Sequence, residues 1–323
     1  MLTLERLRAV APLVRAAVPP TPQFAWPLLQ ARFGLPVVVK HENHTPAGAF
    51  KVRGGLVYFD RLGRERPHVK GVVSATRGNH GQSLAFGGAR AGVAVTIVVP
   101  IGNSAEKNAA MRAFGATLVE HGRDFDEAKA HAVRLAAERG LEYAPSFHAD
   151  LVLGVATYAH ELFSAEPALD TVYVPIGLGS GICGVIGVRD ALGLRTKVVG
   201  VVSDRANAYR LSFDRGEVVS TDSALTFADG MAVRVPDAAA LELIRRGAER
   251  VVEVSDDEVA EAIRVLFSDT HTAAEGAGAA ALAALAKERA RLAGRRCAVV
   301  LTGQNIDRSV MAEVLAGRTP RLA

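Results

Sequence analysis

Lys51 lies in the stretch Lys40 to Gly55, after a run of valines and directly behind the aromatic Phe50. An amine held among apolar neighbours is penalised in its charged form, so its pKa falls and its free form can attack a carbonyl carbon to give a Schiff base. A lone lysine is more often solvated surface, and three further segments give this one its interest. The turn Thr76-Arg77-Gly78-Asn79-His80-Gly81-Gln82 follows a second apolar run and opens a helical pattern. That location suits an anion, because the first N–H groups of a helix have no intrahelical acceptor, and Asn79 adds both a donor and an acceptor. By itself the segment reads equally well as an Asn-Gly-type turn with a helix cap. The segment Gly177-Leu178-Gly179-Ser180-Gly181 and its continuation to Gly184 joins another apolar run to a helix, where glycine lets backbone N–H groups approach an anion closely and the helix dipole adds to the attraction. Finally, Thr302 ends the run Cys297 to Leu301 with a neutral hydroxyl, which can bond a ring nitrogen without enforcing its protonation; in isolation it is simply a strand-terminal turn.

The glycine segment also fits a competing pattern. Gly179, Gly181 and Gly184 have the spacing of a dinucleotide fingerprint, and Asp204 follows the next strand where a ribose-binding acid would lie. The separation of Asp204 from the glycines is long for that motif, and a nicotinamide site would leave the Lys51 and Asn79 segments without a role.

These segments need strands to deliver them. Short β-branched runs alternate with stretches of helical period, the pattern of βα units around a mostly parallel sheet. The expected strands are Val37 to Lys40, Val72 to Ala75, Val95 to Val99, Thr117 to Glu120, Thr171 to Ile176, Val198 to Val202, Val251 to Val254 and Ala298 to Leu301. Several are apolar throughout, as strands covered on both faces should be. Ser255 and Glu258 form a capping-box pattern before the apolar series Val259, Ala262, Ile263, Leu266 and Phe267. Asp124 with Glu127 opens another helix, which runs through Val133 and Ala136 and stops at Gly140.

Taken in order, the four segments resemble the fold-type II pyridoxal-phosphate family that includes threonine and serine dehydratases and serine racemase. Gly154 to Thr157, Thr226 to Val233 and Glu275 to Ala281 resemble further motifs of that family in the expected order, so the resemblance covers almost the whole chain. It implies an α/β architecture like that of the tryptophan synthase β subunit, with two domains, each a mostly parallel sheet flanked by helices. Residues 1–70 and 148–323 would form the large cofactor-binding domain and 71–147 a small substrate-gating domain. It implies pyridoxal 5'-phosphate on Lys51, with Phe50 against the ring, Asn79 at the 3-hydroxyl, Gly177, Leu178, Gly179, Ser180 and Gly181 around the phosphate, and Thr302 at the pyridine nitrogen. Gly230 and Glu275 would be neighbours of the ring. Thr76, Gly78 and His80 would receive the substrate carboxylate, with Arg77 beside them. The activity implied is deaminating dehydration of a β-hydroxy amino acid such as threonine or serine to a 2-oxo acid and ammonia, with Lys51 removing the α-proton. Close variants are dehydratases of bulkier or acidic substrates, such as hydroxyaspartate, phenylserine or a hydroxyectoine-pathway compound. A racemase or a β-replacement synthase would share the cofactor.

The sequence departs from the family at informative places. Leu178 and Ser180 stand where many relatives have glycine, which leaves the backbone donors intact, and Ala49 replaces a usual serine. Arg77 stands where serine racemases carry a reprotonating serine, which disfavours racemisation. The strand end from Val201 to Ala208 lacks the acids of the racemase-like cation site, so no metal is expected. The chain ends soon after Thr302, leaving no room for the regulatory domain of biosynthetic threonine deaminases, and allosteric control by isoleucine is not expected.

Composition narrows the remaining classes. Of 323 residues, 49% are hydrophobic and 22% charged, as in an ordinary globular chain. The net charge of +4 is spread without a basic stripe, which argues against a nucleic-acid partner. No apolar stretch reaches membrane-spanning length and the first residues lack a secretory apolar core, so a cytoplasmic location without membrane contact is expected. Cys183 and Cys297 have no metal spacing and are expected to pack as reduced apolar groups. The family resemblance implies a homodimer.

Overall fold

The computed structural model describes residues 2–321. Its strands are β1 (Gln23–Ala25), β2 (Val37–His41), β3 (Gly71–Ala75), β4 (Ala94–Val99), β5 (Thr117–Glu120), β6 (Glu142–Tyr143), β7 (Thr171–Pro175), β8 (Lys197–Ser203), β9 (Arg250–Val254) and β10 (Cys297–Leu301). They form two sheets, one of order β1-β2-β10-β7-β8-β9 and one of order β5-β4-β3-β6. Every pairing is parallel except β1 with β2. The expected parallel α/β arrangement is therefore present, and each expected strand is found within about a residue of its expected ends, as boundaries of this kind allow. The strands β2, β3, β7 and β10 are buried at every position, which is why they read as unbroken apolar runs.

Hydrophobic packing covers both sheets. The interior of the larger one includes Val39, Tyr173, Val201, Val299 and the alanine-rich helix Gly276–Glu288 on one side, and Val38, Val174, Ile182 and Val300 on the other. The smaller sheet packs Val72, Ile97 and Met111 on one face and Val73, Val98 and Ala132 on the other. Ser255 and Glu258 make the reciprocal capping box, and Asp124 caps Phe125–Arg139, which ends on left-handed Gly140. Phe267 corrects the expected apolar face: it is 43% exposed, because a 100° step carries it to the rim of the stripe on which Leu266 is buried. Among the described residues no helix is long and apolar enough to cross a membrane. Both cysteines are free and buried, and burial pushes each thiol up to about 12.

The helix that follows Lys51, Val52–Glu65, is clamped by close approaches of backbone. A Cβ at Gly154 would lie 2.2 Å from the carbonyl oxygen of Arg53, and one at Gly55 would lie 2.5 Å from that of Ser83. Glycine is required at both crossings, so the motif around Gly154 has a packing cause. Beneath this helix lies a buried ion network. Arg53 donates to both oxygens of Glu42 and of Glu161 and to Thr157 Oγ1, while Lys40 Nζ donates to Glu161 and to the Thr21 carbonyl.

Candidate active site

The carboxyl ends of β2, β3, β7 and β10 converge on one cavity of about 840 Å³. Its wall includes every residue that the family resemblance assigned to the site: Phe50 and Lys51, the turn from Thr76 to His80, the segment from Gly177 to Gly181, and Gly230, Glu275 and Thr302. Such a crevice beyond the carboxyl ends of parallel strands is the usual ligand position in open α/β sheets.

Lys51 occupies the N-cap position of its helix, so the crossings of that helix fix where its amine emerges. Its Nζ lies 3.3 Å from Ser180 Oγ and 4.6 Å from the centre of the Phe50 ring. Burial lowers its pKa to about 8, against an opposing attraction from Glu275. Phe50 is held by Tyr158 edge-on at 6.1 Å, and its backbone N–H donates to the Thr302 carbonyl. The Thr302 side chain is buried, and among the described residues its hydroxyl has no protein hydrogen-bond partner.

The glycine segment turns sharply at Gly179 (φ 98°) into the helix Ser180–Ala191. A Cβ at Gly177 would lie 2.4 Å from the Gly230 carbonyl oxygen, so the two segments approach as closely as backbone permits. The first-turn N–H groups of this helix have no intrahelical acceptor, and Gly177, Gly179 and Gly181 bring bare backbone to the cavity wall, an arrangement suited to a phosphate. Tyr209 donates to the Leu178 carbonyl and Tyr158 to that of Gly181, which steadies the turn from behind.

Across the cavity, Thr76 Oγ1 accepts from Gly78 N–H. Asn79 donates to Glu275, whose carboxyl is raised to about 7 by burial, partly offset by Lys107. His80 is buried and driven down to about 3, first by burial and then by Lys51, and its Nε2 lacks a partner. It is a neutral imidazole at physiological pH. Arg77 is exposed at the wall, and its carbonyl accepts from Asn103.

Sequence reasoning missed several residues here. Ser180 was expected only around the phosphate, yet its hydroxyl is the hydrogen-bond partner of Lys51. Lys107 and Asp229 form a partly buried ion pair at the cavity wall, and Asn305 bonds Asn79 and Glu275. None carries a local sequence signal; the partners are 122, 226 and 30 residues apart. Asp204, the acid of the competing dinucleotide reading, is absent from the cavity wall, and its N–H is tied to Val254.

An amine of lowered pKa, a glycine-rich turn at a helix N-terminus, an aromatic face and an unbonded hydroxyl are the complement of a pyridoxal phosphate, and these residues fit that group. Residues 14–303 match the model of the pyridoxal-phosphate dependent enzyme family. The biosynthetic L-threonine dehydratase of Escherichia coli is 34% identical over 94% of this chain, which spans 60% of that enzyme's length. An L-threo-3-hydroxyaspartate ammonia-lyase from a Pseudomonas species is 32% identical over 92% of this chain and 93% of its own. The processed form of threonine deaminase isoform 2 from Solanum lycopersicum superposes with a TM-score of 0.89 at 28% identity, covering 98% of this chain and 90% of that one. With a match that runs from before the lysine to just past Thr302, the chain belongs to the family of pyridoxal-phosphate-dependent enzymes.

Proposed function

We propose that the chain is a deaminating dehydratase that converts a β-hydroxy amino acid, threonine or serine in the first instance, to a 2-oxo acid and ammonia. The observation that carries this reading is the placement of a low-pKa amine, Lys51, between a phosphate-sized glycine cradle and a turn rich in free N–H groups. When bound, the cofactor supplies an electron-poor ring that stabilises charge developing at the substrate α-carbon. Lys51 then acts as the general base at that carbon, a role favoured by a pKa near the operating pH. Ser180 Oγ holds the amine in place. Gly177 to Gly181 grip the phosphate, Phe50 and Gly230 confine the ring, and Thr302 offers the ring nitrogen a neutral partner, which favours elimination over transamination. Thr76, Gly78 and His80 hold the substrate carboxylate, and residues 71–147, which carry them, form a small gating domain over a large domain of residues 1–70 and 148–323. We also take the enzyme to be a cytoplasmic homodimer, which its two free thiols and size-exclusion mass can test.

A second reading concerns the substrate. The cavity, at about 840 Å³, is roomy for threonine, and Arg77 stands at its wall without an ion-pair partner among the described residues. An acidic substrate such as hydroxyaspartate would give that guanidinium a carboxylate, as the name of the Pseudomonas relative suggests for its own substrate. A panel of β-hydroxy amino acids, assayed for 2-oxo acid, ammonia and D-amino acid, tests the class. Ammonia release with threonine or serine supports dehydration, whereas D-amino acid without ammonia supports racemisation, and thioether formation from an added thiol supports β-replacement. If Arg77 reads the substrate, Arg77→Ala lowers kcat/KM for the acidic substrate relative to threonine by about tenfold, the loss of one charge-assisted hydrogen bond. An unchanged ratio makes Arg77 a surface residue.

A further inference from the structure

Asn305 lies in the loop after β10, outside the catalytic segments, yet three parts of the site meet on it. Its side-chain Nδ2 donates to the Ala47 carbonyl at 2.9 Å and to Asn79 Oδ1 at 2.8 Å, and its backbone N–H donates to Glu275 Oε2 at 3.2 Å. Asn79 Nδ2 in turn donates to Glu275 Oε1 at 2.8 Å. Backbone packs closely against it: a Cβ at Gly48, which is left-handed at φ 65°, would sit 2.6 Å from the Asn305 Oδ1.

An amide side chain has a donor end and an acceptor end that differ little in shape, so its orientation is set by its partners. A backbone carbonyl such as that of Ala47 only accepts. The Asn305 amide must therefore turn its NH₂ toward Ala47, and the same NH₂ then meets the oxygen of Asn79. With its oxygen committed, Asn79 must present its own NH₂ to Glu275 and to the cavity. One hydrogen on that nitrogen is taken by Glu275, and the other has no protein acceptor among the described residues.

We propose that Asn305 is a positioning residue: by fixing the amide orientation of Asn79, it makes the group facing the cofactor's ring hydroxyl a donor and never an acceptor. The inference rests on the assignment of pyridoxal phosphate to Lys51 and says which form of the bound cofactor the chain favours. A fixed donor stabilises the ionised ring oxygen, and loss of the constraint lets Asn79 rotate and favours the neutral hydroxyl.

The test is the absorbance spectrum of the cofactor-loaded protein as a function of pH, for wild type, Asn305→Asp and Asn305→Ala, with borohydride trapping on Lys51 to confirm loading. Asn305→Asp keeps the shape but has no hydrogens for Ala47 or Asn79; Asn305→Ala removes the side chain and leaves the backbone bond to Glu275. The expected result is a fall of about tenfold in the ratio of visible to near-ultraviolet absorbance at neutral pH in both variants, equivalent to about one pKa unit. A variant that traps cofactor but keeps the wild-type ratio and titration midpoint overturns the proposal. Asn305→Gln, which retains the two donors on a longer arm, should recover part of the ratio; a ratio as low as that of Asn305→Ala would also count against it. A wild type that stays colourless with added pyridoxal phosphate would instead overturn the cofactor assignment itself.

Discussion

Replacing Arg53 by Met removes the central cation of the network beneath the Lys51 helix. Arg53 is fully buried and makes five hydrogen bonds, four of them to Glu42 and Glu161. Methionine fills much of the volume, so the loss is chiefly electrostatic: two buried carboxylates remain opposite one ammonium, that of Lys40. Leaving a buried charge uncompensated costs about 3–5 kcal/mol. The expected outcome is a loss of about 4 kcal/mol in urea unfolding followed by circular dichroism, with a matching fall in melting temperature. A companion variant separates charge from packing. Arg53→Met with Glu42→Leu leaves Lys40 and Glu161 as a direct pair at 2.7 Å, so it should recover about 2 kcal/mol of the loss despite carrying two substitutions. The pH dependence has a definite sign. In the wild type, burial works to raise the Glu161 pKa, but the charges and hydrogen bonds of Arg53 and Lys40 prevail and lower it. Its contribution is therefore present above the ordinary carboxylate range and is lost as pH falls through the folded pKa. Without Arg53, Glu161 keeps only Lys40 against the burial that raises its pKa, and acid relieves it. The gap between variant and wild type must narrow from pH 8 to pH 5. A loss under about 1 kcal/mol, or a gap that widens on acidification, refutes this account of the network.

Two further outcomes follow from distances and charge. The rate at which cofactor-free protein captures pyridoxal phosphate depends on the neutral fraction of Lys51, so it should rise nearly tenfold per unit below pH 8 and level off above it; stopped-flow absorbance reads this, and a plateau delayed to the ordinary lysine range would show that the amine is not desolvated. Gly154→Ala forces a Cβ to 2.2 Å from a backbone carbonyl, and overpacking of this kind costs about 1–3 kcal/mol. A melting temperature equal to that of wild type would show that the helices do not cross so closely.

The parts of the fold that could be read from the sequence are those whose cause is local. Eight strands were legible as short β-branched runs, four of them because burial at every position demands such runs, and the helix at Asp256 because its capping box lies within four consecutive residues. β1 and β6 were not, since strands of three and two residues at the sheet margins carry no run. Phe267 misled because a stripe one residue too wide looks the same in sequence as one that is buried throughout. At the site, Lys51, the turn at Asn79 and the glycine segment announced themselves by composition and order. The ion pair of Lys107 with Asp229, which spans the two sheets, and the hydrogen bonds of Asn305 depend on tertiary contact alone.

The contrast between the charges below Lys51 and those around it gives the site its logic. Lys40, Glu42, Arg53 and Glu161 sum to zero net charge and saturate one another with hydrogen bonds, so burial does not push the Arg53 and Glu161 charges toward neutrality, although it does lower the Lys40 pKa. Such a network gains little net stability over an apolar core, but it tolerates only one arrangement, and Lys51 is two residues from its centre. At the cavity the balance is reversed. Lys51, His80 and Glu275 are buried with too few opposite charges, and each is shifted toward its uncharged form. Lys51 and Glu275 in that condition exchange protons near neutral pH, which a base working at an α-carbon needs, while His80 stays neutral. Saturated charge holds the backbone still, and undercompensated charge keeps the side chains reactive; exchanging the two arrangements would leave a stiff lysine unable to give up its proton on a helix free to drift.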